Sequence, residues 1–98
     1  MSQREDLIDT DKAKVASIAL DIGEKSPWHY HSKVLENVIC LKGEIELQLK
    51  SPKETILLRV GERYSIDQEV KHRLVNRGNI EATYLLIQRG EYDFIQES

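Results

Sequence analysis

All three histidines of this 98-residue chain fall in two glycine-bounded runs, and one glutamate falls with them. The first run reads Gly23, five residues, His29, one residue, His31, four residues, Glu36, six residues, Gly43. The second reads Gly61, then His72 eleven positions on, then Asn76 after a gap of three. Three imidazoles and one carboxylate are what a divalent transition metal accepts while keeping positions open for a substrate. Such a set leaves the ion one net positive charge, which attracts an anionic or enolisable ligand. Iron or manganese would bring oxygen chemistry, zinc or nickel the polarisation of a carbonyl, and the ligand types alone do not choose among them.

The elements that must position these side chains read as strands. His29 and His31 are two apart, so on a strand both project from one face. Glu36 lies five beyond His31 and would point the other way on an uninterrupted strand. A turn over Ser32 to Leu35 removes the contradiction, with Glu36 opening the next, neighbouring strand. His72 then arrives from a distant part of the chain, as a barrel permits when opposite strands share one interior. The clearest alternation is Glu44 to Lys50, where Ile45, Leu47 and Leu49 share a face and the polar residues take the other. Candidate strands fall near 13–22, 27–32, 36–42, 44–50, 55–60, 63–66, 72–77 and 81–89, punctuated by glycine, proline and Asn/Asp turns. No stretch carries a 3.6-residue apolar stripe of useful length. Eight short strands fit an all-β barrel or sandwich in one domain over 13–98. Residues 1–12, with Arg4, Glu5, Asp6, Asp9, Asp11 and Lys12, read as a flexible solvated arm.

Composition narrows the function classes. The chain has 14 Lys plus Arg against 17 Asp plus Glu, a formal net charge of −3, and its cations are scattered. That argues against a nucleic-acid groove or an anionic membrane surface. No apolar run has the length of a membrane helix, and the first ten residues lack the basic start and apolar stretch of a secretory signal. One cysteine makes no internal disulfide, which suits a reducing, cytoplasmic setting.

The two runs resemble the motifs of the cupin superfamily. The first has the pattern Gly-x5-His-x-His-x3,4-Glu-x6-Gly at Gly23, His29, His31, Glu36 and Gly43; the second fits Gly-x5-Pro-x-Gly-x2-His-x3-Asn at Gly61, His72 and Asn76. It departs where Asp67 replaces the usual proline and Glu69 the usual glycine, two positions that shape a turn. A positive φ at Glu69 would carry roughly 1 kcal/mol of strain. The resemblance implies a jelly-roll, double-stranded β-helix of six to eight strands, with His29, His31, Glu36 and His72 turned inward on one divalent ion (iron, manganese, nickel or zinc). It implies a structural Asn76, turn-forming glycines and, by analogy with small cupins, a homodimer.

Other residues carry weaker expectations. Cys40 shares strand parity with Glu36 and reads first as a small buried apolar side chain. Tyr64 is a candidate proton donor, with a core or rim tyrosine the better reading. Trp28 and Tyr30 flank the histidines on the opposite face, where a second subunit would cover them. Arg59, Arg63 and Arg73 are candidates for a substrate carboxylate, with solvated arginine the default. The tail Tyr92-Asp93-Phe94-Ile95 has enough apolar character to dock on the barrel or on a partner. The leading function is a metal-dependent enzyme acting on a small polar or anionic metabolite, by dioxygenation or by isomerase- or lyase-type chemistry. The competing one is a non-catalytic sugar- or metabolite-binding module with a structural metal. No catalytic side chain beyond the ligands is assigned.

Overall fold

Alternation sets the strands. In Glu44–Lys50, Ile45, Leu47 and Leu49 turn inward and are buried while the two ends stay exposed, as a period of two requires. The computed structural model describes residues 3–96. Among them are ten strands and no helix: β1 (Gln3–Asp9), β2 (Ala13–Leu20), β3 (His29–Tyr30), β4 (Val34–Lys42), β5 (Glu44–Lys50), β6 (Lys53–Arg59), β7 (Arg63–Ile66), β8 (His72–Val75), β9 (Ala82–Gly90) and β10 (Ile95–Gln96). They build two five-stranded sheets, β1-β2-β9-β4-β7 and β10-β3-β8-β5-β6. This is the all-β, double-stranded β-helix that the motifs imply. Inward residues of both sheets meet in one core, with Val38, Cys40, Ile45, Leu47 and Leu74 fully enclosed. None of the described residues belongs to a helix able to cross a membrane.

Two expectations change. Where the sequence reads a flexible arm, Gln3–Asp9 pairs antiparallel with β2 as an edge strand, with all seven residues exposed. Its anchor is the turn at Thr10, whose Oγ1 accepts from Ala13 N at 3.0 Å and whose N donates to Ala13 O at 2.8 Å. Backbone pairing suffices to hold a strand that buries no side chain. The second change concerns Glu36: β4 lies in the sheet facing β3, not beside it. His72, expected from across the barrel, is instead on the strand next to His29.

Two glycines are required by close approach. Gly43 has φ +70°, and a Cβ there would sit 3.2 Å from both Ala82 Cβ and Glu81 O. Gly90 has φ +123°, and a Cβ would meet Lys33 O at 2.2 Å. At that crossing the chain leaves β9 and folds back over the open end of the barrel. L-residues with side chains fit neither place.

Candidate metal centre

His29 on β3 pairs directly with His72 on β8, so both rings leave the same face of one sheet. His31 follows two residues on from His29. From the facing sheet, β4 sends in Glu36, its third residue. All four side chains are buried, and one ligand atom from each lies within 4.8 Å of the others.

The backbone fixes which nitrogen each ring presents. His29 Nδ1–H donates to Pro27 O at 2.9 Å, His72 Nδ1–H to Val70 O at 2.8 Å, and His31 Nδ1–H to Asp93 O. A carbonyl only accepts, so in the neutral ring each proton sits on Nδ1 and each Nε2 offers a lone pair to the centre. There, Nε2 of His31 faces Glu36 Oε2 at 2.8 Å and Nε2 of His72 faces Glu36 Oε1 at 3.4 Å. The two Nε2 atoms and Glu36 Oε1 are buried and lack a well-directed hydrogen bond among the described residues. Lone pairs gathered on a carboxylate at such distances call for positive charge between them, a proton on His31 or a bound cation. A divalent cation fits this donor set, with three carbonyls orienting the imidazoles from behind.

The electrostatics agree. Burial, then the nearby His72, pushes His29 down to about 4. For Glu36 burial alone would raise the carboxyl, but the facing His31 and His72 rings outweigh that and hold it well below the usual range. Burial likewise opposes a charge on His31, yet the Glu36 carboxylate and the Asp93 carbonyl win and raise it above the ordinary imidazole value. Together these favour an ionised Glu36 at the centre, which suits ligation.

Residues 91–96 close one side of the centre. Asp93 accepts from Ser32 N at 2.9 Å and from Ser32 Oγ. Phe94 stacks on His29 with ring centroids 4.6 Å apart, and Tyr92 tilts against His31 at 5.5 Å. β10 then pairs with β3 through Ile95–Tyr30 and Gln96–His29. The apolar tail docks on the barrel, as one of its two readings has it. The turn before β8 serves the centre too: Glu69, at φ 66°, donates its N–H to His31 O at 2.7 Å.

A cavity of about 240 Å³ opens beside the ligands. Its walls include Ile18, Leu20, Leu74 and Leu86, and Arg4 and Lys25 also line it. Neither cation is singled out by the sequence. The three arginines that are do not line this cavity: Arg59 and Arg63 are exposed, and Arg73 bonds Gln48 Oε1 at 2.6 Å. Tyr64 packs against the core and is absent from the cavity wall. Cys40 is enclosed in the core, its thiol directed at the carbonyls of Gly43 and Lys42. Trp28 and Tyr30 are half-buried on the far face, beneath cations: Arg73 lies 4.6 Å from the Trp28 ring and Lys71 5.9 Å from the Tyr30 ring. Asn76 is structural, donating from Nδ2 to Leu20 O and Ile80 O while Oδ1 accepts from Gly78 N. Two lining residues carried no signal in the sequence, Tyr84 and Gln88.

Comparison with known proteins places this geometry in a wider setting. Residues 17–88, which contain His29, His31, Glu36 and His72, match the family described as the cupin domain. No curated protein matches the sequence. Among solved structures, an oxalate oxidase superposes with a TM-score of 0.83 at 20% identity, covering 97% of this chain and 54% of that one. An RmlC-like cupin family protein from Methanocaldococcus jannaschii gives 0.81 at 23% identity, covering 93% and 82%. A sugar phosphate isomerase of the cupin superfamily from Silicibacter pomeroyi gives 0.69 at 25% identity, covering 80% and 50%. This chain spans about half the length of the oxalate oxidase. At such identities the likeness is one of fold.

Proposed function

The chain belongs to the cupin domain family, and from that footing we propose that it is a metal-dependent enzyme acting on a small anionic metabolite. The observation that supports this most is the set of Nε2 lone pairs held by backbone carbonyls and turned on Glu36. His29, His31, Glu36 and His72 would hold one divalent transition ion, which when bound supplies Lewis acidity or redox chemistry according to its identity. The reaction class is dioxygenation or isomerase/lyase chemistry; an oxidase and an isomerase are among the proteins that share this fold. Arg4 and Lys25 draw the anion to the cavity, Phe94 and Tyr92 shield the imidazoles on one side, and the apolar walls exclude water from the rest. The proposal includes a homodimer that covers Trp28 and Tyr30; sedimentation as a monomer at micromolar concentration would remove that part.

The test begins with metal analysis of protein purified without chelator, expected to show one ion per chain. His72→Ala should abolish occupancy. Equal metal in wild type and His72→Ala, or none in either, refutes the proposal. Oxygen uptake by the iron-loaded protein against thiols, flavonols and keto acids reads one chemistry. NMR of uronates and keto sugars reads the other. Ligand-induced thermal stabilisation with no turnover in either panel marks a binding module instead.

A further inference from the structure

Gln88 lies beside the four ligands with half of its amide unused. β9 sets it directly opposite Glu36, and it is 4% exposed. Its Nε2–H donates to Glu36 Oε2 at 3.1 Å. A carboxylate only accepts, so the amide cannot be turned round, and its oxygen is the free end. That Oε1 is buried and has no hydrogen-bond partner among the described residues. An unpaired buried acceptor is costly, so an occupant of the adjoining cavity gains by donating a hydrogen to it.

The rest of the cavity adds further requirements. The centre with a divalent ion carries one net positive charge and Lys25 on the cavity wall adds to it, Arg4 being paired with Asp6 at 2.9 Å, so an anion is the favoured occupant. Tyr84 also lines the cavity and is 3% exposed. Burial holds its phenol protonated, as a donor for a carboxylate oxygen. The volume of about 240 Å³ admits roughly eight non-hydrogen atoms, at the space of about one water each. Ile18, Leu20, Leu74 and Leu86 suit a short apolar remainder.

A carboxylate with a hydroxyl on the next carbon meets all of these conditions. The 2-keto acid of the same skeleton has the charge and the size but no hydrogen for Gln88. We propose that Gln88 makes this cavity selective for a small 2-hydroxy acid, Oε1 accepting the hydroxyl hydrogen while Nε2 holds Glu36. Gln88 is then a specificity-determining residue. The inference rests on the metal centre proposed above.

The test is a calorimetric titration of the cobalt(II)-loaded protein with lactate and with pyruvate, metal content being measured on the same samples. Lactate should bind about tenfold tighter or more, because a buried acceptor rejects the analogue that leaves it unpaired. Gln88→Met, which removes the acceptor at similar volume, should bring the two affinities together. Tyr84→Phe should weaken both alike and keep their ratio. Cobalt uptake with no preference for lactate in the wild type overturns this inference and leaves the metal centre standing. So does a preference that survives in Gln88→Met. A wild type that takes up no cobalt overturns both. If Gln88→Met itself fails to hold cobalt, the wild-type ratio and its persistence in Tyr84→Phe decide.

Discussion

Asn76→Ala should destabilise the fold severely while leaving the ligand set complete. Asn76 is fully buried and makes three side-chain bonds: to Leu20 O at 3.0 Å, to Ile80 O at 2.9 Å and from Gly78 N at 2.9 Å. These tie the end of β2 to the turn between β8 and β9. At about 1 kcal/mol net for each neutral bond, the truncation costs about 3 kcal/mol. Leu20 is 2% exposed, so its carbonyl has no easy access to replacement water, which places the cost at the upper end of that range. Gly78 and Ile80 lie nearer the surface and can recruit water. A domain of this length is stable by roughly 5–15 kcal/mol, so the loss is a large share. It should lower the melting temperature by roughly 12–24 °C, at about 4–8 °C per kcal/mol. Urea unfolding in the presence of chelator isolates this effect from metal binding, and metal analysis of the folded fraction should still give the wild-type stoichiometry. A loss below about 1 kcal/mol would show that these bonds do not hold the two segments together. A folded variant without metal would show that Asn76 acts on the centre itself.

Metal should leave as pH falls through the imidazole range near ~6.5, since a protonated ring cannot ligate. His31, raised by Glu36, takes a proton first, whereas His29 stays neutral down to about 4; retention is therefore full above neutrality and lost towards acid. Metal content that is constant down to pH 5 contradicts this. Glu69→Gly should raise stability by at most about 0.5 kcal/mol, the relief of roughly 1 kcal/mol of left-handed strain less about 0.5–1 kcal/mol for the added freedom of glycine in the unfolded chain, and a loss above about 1 kcal/mol argues against strain at φ 66°. Asp93→Ala frees Ser32 from the closing segment whose carbonyl orients His31; metal affinity by chelator competition should drop about 10–100-fold, and an unchanged affinity would show the segment needs no such clamp.

The clustering of His29, His31, Glu36 and His72 was legible because metal ligation would demand particular side chains at a fixed strand parity. His29 and His31, two apart, could share a face only if extended, and Glu36 could join them only across a turn. A bend is there at Ser32–Lys33, shorter than the expected turn over Ser32 to Leu35, because Val34 and Leu35 already belong to β4. Parity does not say which sheet a strand joins after a turn, which is why Glu36 was placed beside the histidines when it faces them. Gln88 shows another limit. Its strand carries Leu86 on one face and Leu85 and Ile87 on the other, and β9 is the central strand of its sheet. With apolar residues on both faces, alternation cannot tell which one looks into the barrel, so Gln88 and Tyr84 read like ordinary strand residues. The edge strand β1 was illegible for the opposite reason. Its pairing is made by the backbone, and a run of charged residues hides it.

The division of the four candidate ligands between sheets would give a metal-bound centre a mechanical role as well as a chemical one. Three imidazoles hang from the sheet of β3 and β8, whereas Glu36 and Gln88 hang from the sheet of β4 and β9. An ion held by all four therefore ties the two layers together at the end of the barrel where the cavity interrupts the apolar core. The segment 91–96 starts on one sheet and ends paired to the other, and carries the carbonyl that orients His31 on the way. Sheet packing, closure of that segment and ligation are thus one coupled equilibrium, because each holds the same two layers at the same separation. Binding energy of an ion at the centre would then be folding energy, and a substitution that loosens the layers should lower affinity without touching any of the four side chains.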